Sequence, residues 1–194
     1  VEPDGSFFVD AQVRDSTLTH SQFVAQRTKD AIADWFRKAT RRRPSVAKED
    51  ADLRVHVHLS KDRATISVDT SGDSLHKRGW RDYQGVAPLG ECLAAAMVLE
   101  ADWNRRAPVV DPFAGSGTLL VEAALLAADI APGLFRSFGF ERWPNHKPAP
   151  YRKLHESIAA RMRWPSKLRL HARDLEAGHL RGLRRNFEAL AQLE

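Results

Sequence analysis

Val109-Val110-Asp111-Pro112-Phe113-Ala114-Gly115-Ser116-Gly117-Thr118-Leu119-Leu120-Val121-Glu122-Ala123-Ala124 is the stretch that decides the fold. It runs from an apolar strand end, through an acid and a Gly-rich turn, into an apolar helix start. A glycine turn lets the backbone approach a ligand closely, because no Cβ intervenes. A helix that begins there aims unpaired N–H groups at that ligand. Two nucleotide-binding loops share this layout, and both fit poorly. A P-loop needs Lys directly after its second glycine, where this chain has Thr118. A dinucleotide fingerprint wants a small residue three positions after Gly117, where this chain has Leu120. The plain alternative is a strand, turn and helix whose glycines serve only to turn the chain.

The 194 residues suffice for one domain or two small ones. Apolar residues make up 43%, enough for a real core. No apolar run approaches the roughly 20 residues that a membrane-spanning helix needs. The N-terminus, Val1-Glu2-Pro3-Asp4, lacks the charged start and apolar centre of a signal peptide. A soluble, cytoplasmic chain with no membrane partner is expected. The single Cys92 excludes an internal disulfide and any multi-Cys metal site. Its apolar helical setting predicts that Cys92 is buried filler. A net charge of +5 favours polyanionic partners such as RNA.

The first part of the chain reads as a small α+β unit. Residues 6–14 alternate apolar and polar, as a half-buried strand does. A cap at Thr19, Ser21 or a neighbour opens a helix to about Lys38. Phe23, Val24, Ala31, Trp35 and Phe36 fall broadly at helical spacing along it. Residues 53–59 alternate with Leu53, Val55, Val57 and Leu59 on one face. Lys61-Asp62 makes a turn and residues 64–69 alternate again, so a hairpin with one buried and one wet face is predicted. His56 and His58 share the wet face and read as solvated surface, because no further metal ligands accompany them. Arg41-Arg42-Arg43 is a basic run before Pro44. Such runs are usually solvated surface, and in a basic chain they also suit phosphate contacts.

Residues 71–81, Ser71-Gly72-Asp73-Ser74-Leu75-His76-Lys77-Arg78-Gly79-Trp80-Arg81, are polar and Gly-containing, as a connector is. Pro88 then opens a predicted helix over residues 89–99, rich in strong helix formers such as Ala94-Ala95-Ala96. On these residues the chain resembles the RlmL-type family of rRNA guanine-N2 methyltransferases. The matching residues include Leu75-His76, Arg78-Gly79, Arg81-Asp82, Ala87-Pro88-Leu89, Glu91 and Leu93 through Ala96. They continue through the Asp-Pro-Phe-x-Gly-Ser-Gly-Thr loop to Asp129-Ile130-Ala131-Pro132-Gly133-Leu134, then Phe138-Gly139-Phe140 and Trp143. Residues before Asp69 resemble the RNA-binding THUMP domain that these enzymes carry. The resemblance implies an α/β fold, with the C-terminal half of an α+β THUMP domain followed by the first half of a Rossmann-like methyltransferase domain. The bounds it implies are 1–70 for the THUMP part, 71–87 for a connector and 88–194 for the methyltransferase part.

The resemblance also implies chemistry. S-adenosylmethionine (SAM) is the implied cofactor, no metal is needed, and the implied reaction methylates the exocyclic amine of guanine in 23S ribosomal RNA. Asp111, Pro112, Phe113, Ala114, Gly115, Ser116, Gly117 and Thr118 would form the cofactor loop, with Pro88 and Leu89 along the same pocket. Residues 168–174 read as a second strand ending in an acid, Asp174. An acid there can accept hydrogen bonds from ribose hydroxyls, as in dinucleotide folds. The family pattern is Gly-x-Asp-x-Asp and this chain has Ala172-Arg173-Asp174-Leu175-Glu176, so Asp174 is the first ribose candidate and Glu176 the second. Arg41, Arg42, Arg43, Lys77, Arg78 and Arg81 are the expected RNA contacts. The family's Asn-Pro-Pro-Tyr catalytic motif does not occur in the sequence. The chain is therefore expected to be an inactive piece of a longer enzyme, with no catalytic residue of its own. Two other functions stay open: the same chemistry on tRNA guanine or a DNA adenine amine, and a non-catalytic RNA-binding module.

Overall fold

A computed structural model describes residues 2–193. Val1, part of the N-terminal reading, and Glu194, the outer bound of the expected methyltransferase part, lie outside the described residues. The chain divides into two compact units, Val1–Asp73 with Phe138–Lys147, and Ser74–Ser137 with Pro148–Glu194.

In the first unit, β1 (Ser6–Arg14), β2 (Ser45–Val46), β3 (Leu53–Ser60) and β4 (Arg63–Asp69) form one sheet in the order β2-β1-β3-β4. β1 runs parallel to β2 and β3, and β3 and β4 form the antiparallel hairpin. Parallel neighbours require a crossover, and α1 (Ser21–Thr40) supplies it between β1 and β2. Lys61 and Asp62 both have positive φ, 50° and 57°, the handedness that two-residue hairpin turns favour. Phe7, Val9, Val55 and Val57 are buried beneath Ala33, with Val24, Ala25 and Ile32 packed around them.

Two details of the sequence reading change here. The packed stripe of α1 is Val24, Ala25, Ile32 and Ala33, whereas Phe23 and Trp35 are 49% and 62% exposed and Ala31 is also exposed. The side of α1 that meets β1 and β3 sets the stripe, and Phe23 and Trp35 stand on its flanks. β4 has no buried position, and Ile66 and Val68 are exposed. It is an edge strand, so within the hairpin only β3 carries the clean alternation. On the wet side, His56 Nδ1 lies 2.6 Å from Asp10 Oδ2, across a register pair of β1 and β3.

Residues 138–147 belong to this first unit although they follow in sequence long after it. The Phe140 N–H donates to the Thr70 carbonyl at 3.1 Å. The Arg142 guanidinium donates to the carbonyls of Asp50 and Ala51. Gly139 and Gly72 lie back to back: a Cβ added at Gly139 would stand 3.1 Å from the Gly72 nitrogen.

The second unit holds α2 (Glu91–Glu100), β5 (Val109–Asp111), α3 (Thr118–Ala127), α4 (Pro148–Ala159), β6 (Leu170–Ala172) and α5 (Ala177–Ala191). β5 and β6 are adjacent and parallel. The core is Trp80, Val121, Leu125, Ala128, Ile130, Leu134 and Leu190, with Phe135, Ile158, Met162 and Phe187 packed against it. Residues 74–90 carry no helix or strand. Even so, Trp80 is among the most buried side chains of the protein.

α2 starts at Glu91, not at Pro88, with Gly90 as an extended N-cap at ψ 140°. The Leu89 carbonyl, which a longer helix would use, accepts a hydrogen bond from Arg81 instead. Cys92 is exposed rather than filler. The buried stripe of α2 is Glu91, Ala94 and Val98, and Cys92 falls off it.

Candidate functional site

The loop after β5 sits at the carboxyl ends of two neighbouring parallel strands. In register, Asp111 pairs with Ala172, and Asp174 follows two residues on. The Arg173 N–H donates to the Asp111 carbonyl at 2.8 Å, and the Ala114 N–H donates to the Arg173 carbonyl at 2.9 Å. Open α/β sheets bind ligands outside such strand ends. Gly115 and Gly117 have φ of 52° and 82°, in the left-handed region that favours glycine. At Gly117 the requirement is double, because a Cβ there would stand 2.6 Å from Leu183 Cγ.

The loop is braced from beneath. Asp174 Oδ2 accepts the Gly115 N–H at 2.8 Å, and its Oδ1 accepts the Glu176 N–H at 2.9 Å and lies 3.1 Å from His179 Nδ1. The Glu176 and Gly115 N–H donors hold the Asp174 carboxyl below the usual carboxylate range. Asn186, fully buried on α5, uses its whole amide. Its Oδ1 accepts from the N–H groups of Asp82 and Tyr83, and its Nδ2 donates to the carbonyls of Tyr83 and Ser116. Gly182, one turn earlier, faces the Tyr83 ring so closely that a Cβ would lie 2.0 Å from it.

Several N–H groups of the loop are therefore already paired within the protein. Phe113 donates to Asp111 Oδ1, Ala114 to Arg173, Gly115 to Asp174 and Gly117 to Ala114. The loop offers close backbone approach more than an anion nest. This refines the expectation that it aims unpaired N–H groups at a ligand.

Above the loop lies a cleft of about 360 Å³, lined by Pro88, Leu89, Asp111, Phe113, residues 114–116, Thr118 and His179 among others. That volume falls within the ~300–1,000 Å³ usual for small-molecule sites. Nothing lies within 4 Å of the position a Gly115 Cβ would take, so its open side is free for a ligand. Asp111 is half-buried in the wall and retains acceptor capacity, since a carboxylate offers about four lone-pair sites. Phe113 and Pro112 are exposed, while Ala114, Ser116, Gly117 and Thr118 are buried. An acid, open glycine backbone and an exposed aromatic ring suit a ligand with a cationic end and a flat apolar part.

Asp174 does not line this cleft; it stands behind Gly115, and Glu176 is exposed at the N-cap of α5. His179, on the cleft wall and beside Asp174, was not signalled by any motif. The expected RNA contacts divide. Arg41, Arg42 and Arg43 are exposed at the end of α1, with Arg42 paired to Asp4. Lys77 is exposed. Arg78 and Arg81 turn inward: Arg78 Nε donates to Glu122 at 3.2 Å, and Arg81 Nε donates to Glu91 at 2.7 Å. With side chains only 9% and 16% exposed, both guanidiniums are spent on internal carboxylates rather than on phosphate. Burial pushes the Glu122 carboxyl up, against the pull of Arg78. Among the described residues, no group of three or more His, Cys, Asp or Glu is placed to hold a metal ion.

A parallel strand pair with this loop at its carboxyl ends, in a chain that also carries a separate α+β unit, fits a methyltransferase architecture, and known proteins bear that out. The chain belongs to the RMKL-like methyltransferase domain family, matched over residues 78–193, and carries a THUMP domain, matched over residues 1–69. It is 52% identical over 157 residues to the ribosomal RNA large subunit methyltransferase K/L of Methylococcus capsulatus. That match covers 78% of this chain and 21% of the relative. The protein of the same name from Pseudomonas aeruginosa is 48% identical over 166 residues, covering 83% of this chain and 23% of the relative. The chain thus spans about a fifth of the length of these curated relatives. Among solved structures, the SMU.472 protein complexed with SAH, described there as a methyltransferase, matches 100% of this chain and 51% of its own, at 29% identity and a TM-score of 0.89. A Listeria monocytogenes protein described as an N6-adenine-specific DNA methylase matches 96% of this chain and 50% of its own, at 31% identity and a TM-score of 0.81.

Proposed function

We propose that this chain supplies the SAM-binding side of an enzyme that methylates the exocyclic amine of guanine in 23S ribosomal RNA. One observation carries the reading: the loop of residues 111–118 borders a small-molecule cleft at the carboxyl ends of β5 and β6. The chemistry of the cleft fits the group. Asp111 suits the ammonium of the amino-acid end, and the open side of Gly115 admits close contact with the backbone of residues 115–118. Pro88 and Leu89 form the facing wall. Asp174 shapes the loop from outside the cleft, at the carboxyl end of β6, where its remaining lone pairs and Glu176 would meet a ribose that extends past the loop. When bound, SAM supplies an electrophilic methyl group. The protein's share of the reaction is to hold that methyl in line with the amine, a matter of proximity and orientation. The groups that would position the amine belong to the Asn-Pro-Pro-Tyr motif implied by the resemblance, so methyl transfer by these 194 residues alone is not expected.

Relatives about half identical to this chain are named for large-subunit ribosomal RNA, which favours that substrate over tRNA or DNA. The THUMP match and the exposed Arg41, Arg42 and Arg43 support RNA as partner. A cytoplasmic setting agrees with this substrate, and among the described residues no helix is long and apolar enough to cross a membrane. The test is calorimetric titration with S-adenosylhomocysteine (SAH). Binding is expected, and Asp111→Ala should weaken it by the ~1.5–3 kcal/mol of a charged hydrogen bond. Equal affinity of the two proteins would reject the cleft as the cofactor site.

A further inference from the structure

Arg81 makes four side-chain hydrogen bonds beside the cleft, yet it does not line the cleft. Its Nε donates to Glu91 Oε1 at 2.7 Å. Its Nη1 donates to Ser116 Oγ at 3.2 Å. Its Nη2 donates both to Thr118 Oγ1 at 3.0 Å and to the Leu89 carbonyl at 3.1 Å. The guanidinium therefore binds both walls at once: residues 116 and 118 on the glycine loop, and Leu89 on the opposite side. We infer that Arg81 is a positioning residue that sets the separation of the two cleft walls and so the fit of the cofactor. The inference rests on the SAM reading of the cleft.

Three further observations point the same way. A buried ion pair seldom stabilises a protein more than apolar residues of the same size would. The Arg81–Glu91 pair is 16% and 6% exposed, so geometry is the better account of its presence. The planar fork of Arg can satisfy several acceptors in fixed directions, which the single ammonium of Lys cannot. Ser116 is also gripped from the other side, its carbonyl held by Asn186. Arg81 thus decides where the Ser116 hydroxyl lies while Asn186 decides where its backbone lies.

The experiment measures SAH affinity by calorimetry beside melting temperature, for wild type, Arg81→Lys, Ser116→Ala with Thr118→Val, and all three changes combined. Ile158→Ala, which thins the core away from the loop, calibrates how far affinity follows stability alone. Arg81→Lys keeps the charge opposite Glu91 but loses the fork. It should weaken SAH about tenfold with a smaller melting shift than Ile158→Ala gives. The hydroxyl variant should lose a similar amount, and Arg81→Lys should add little to it, because coupled residues do not act additively. If Arg81→Lys leaves affinity unchanged, if its loss scales with melting temperature as that of Ile158→Ala does, or if the losses simply add, the positioning role fails. If the wild type binds no SAH, the SAM reading itself fails, a separate and visible outcome.

Discussion

Each unit is held together internally by a different means. In the first, Phe7, Val9, Val55 and Val57 meet α1 through apolar contact, and polar pairs such as His56–Asp10 lie on the outer face. In the second, an apolar core around Trp80 is accompanied by buried polar joints: Arg81–Glu91, Arg78–Glu122 and the amide of Asn186. Apolar contact is non-directional and scales with area. Hydrogen bonds are directional and are costly when broken while buried. The first unit is thereby built for stability of a sheet, and the second for a fixed arrangement of one loop.

That contrast can be broken experimentally. The largest effect should come from Phe7→Ala, which leaves a cavity in the sheet and should cost about 3–5 kcal/mol in chemical denaturation. Its effect on SAH affinity should be small. A loss of affinity as large as that caused by loop mutations would erase the distinction between the units. Asn186→Leu comes next. It strands the N–H groups of Asp82 and Tyr83, at roughly 1–3 kcal/mol for each buried group left unpaired. Unlike Phe7→Ala, it should also lower SAH affinity, because the Ser116 carbonyl loses its donor. An Asn186→Leu protein that melts lower but binds SAH as well as wild type would show the joint to be merely structural.

The smallest effect concerns something both units share. Asp52 is held below the usual carboxylate range by the Ser6 N–H and hydroxyl, and Asp174 by the N–H groups of Glu176 and Gly115. Both carboxyls bind protons more weakly in the folded chain than in the unfolded one. The stability they contribute is complete above the ordinary Asp pKa of about 3.9, and is lost as pH falls through the depressed folded values. Melting temperature should therefore decline below about pH 4 in wild type. Asp174→Asn should flatten part of that decline, and an unchanged profile would remove Asp174 as a contributor.

What the sequence revealed follows from how local each feature is. Strands β1 and β3, the hairpin turn and the loop after β5 depend on neighbours a few residues away, and alternation and glycine spacing display them. The stripe of α1 depends on which side the sheet occupies, so helical spacing alone does not place Phe23 and Trp35 on its flanks. Residues 74–90 look like a polar spacer because their partners are distant: Asp82 meets Asn186 over 104 positions, and Arg81 meets Ser116 over 35. No pattern within the segment distinguishes an arginine that pairs with RNA from one that pairs with a buried glutamate. Gly182 likewise shows its purpose only against the ring of Tyr83.

Residues 138–147 give the molecule a particular relation between gene order and architecture. They complete the first unit while being encoded inside the second, so the polypeptide passes between the units at 73/74, 137/138 and 147/148. Excising residues before 74 would leave behind the strap whose Arg142 satisfies the carbonyls of Asp50 and Ala51 and whose Phe140 bonds Thr70. A piece meant to keep every contact of the first unit therefore has to carry the ten-residue strap along with residues before 74.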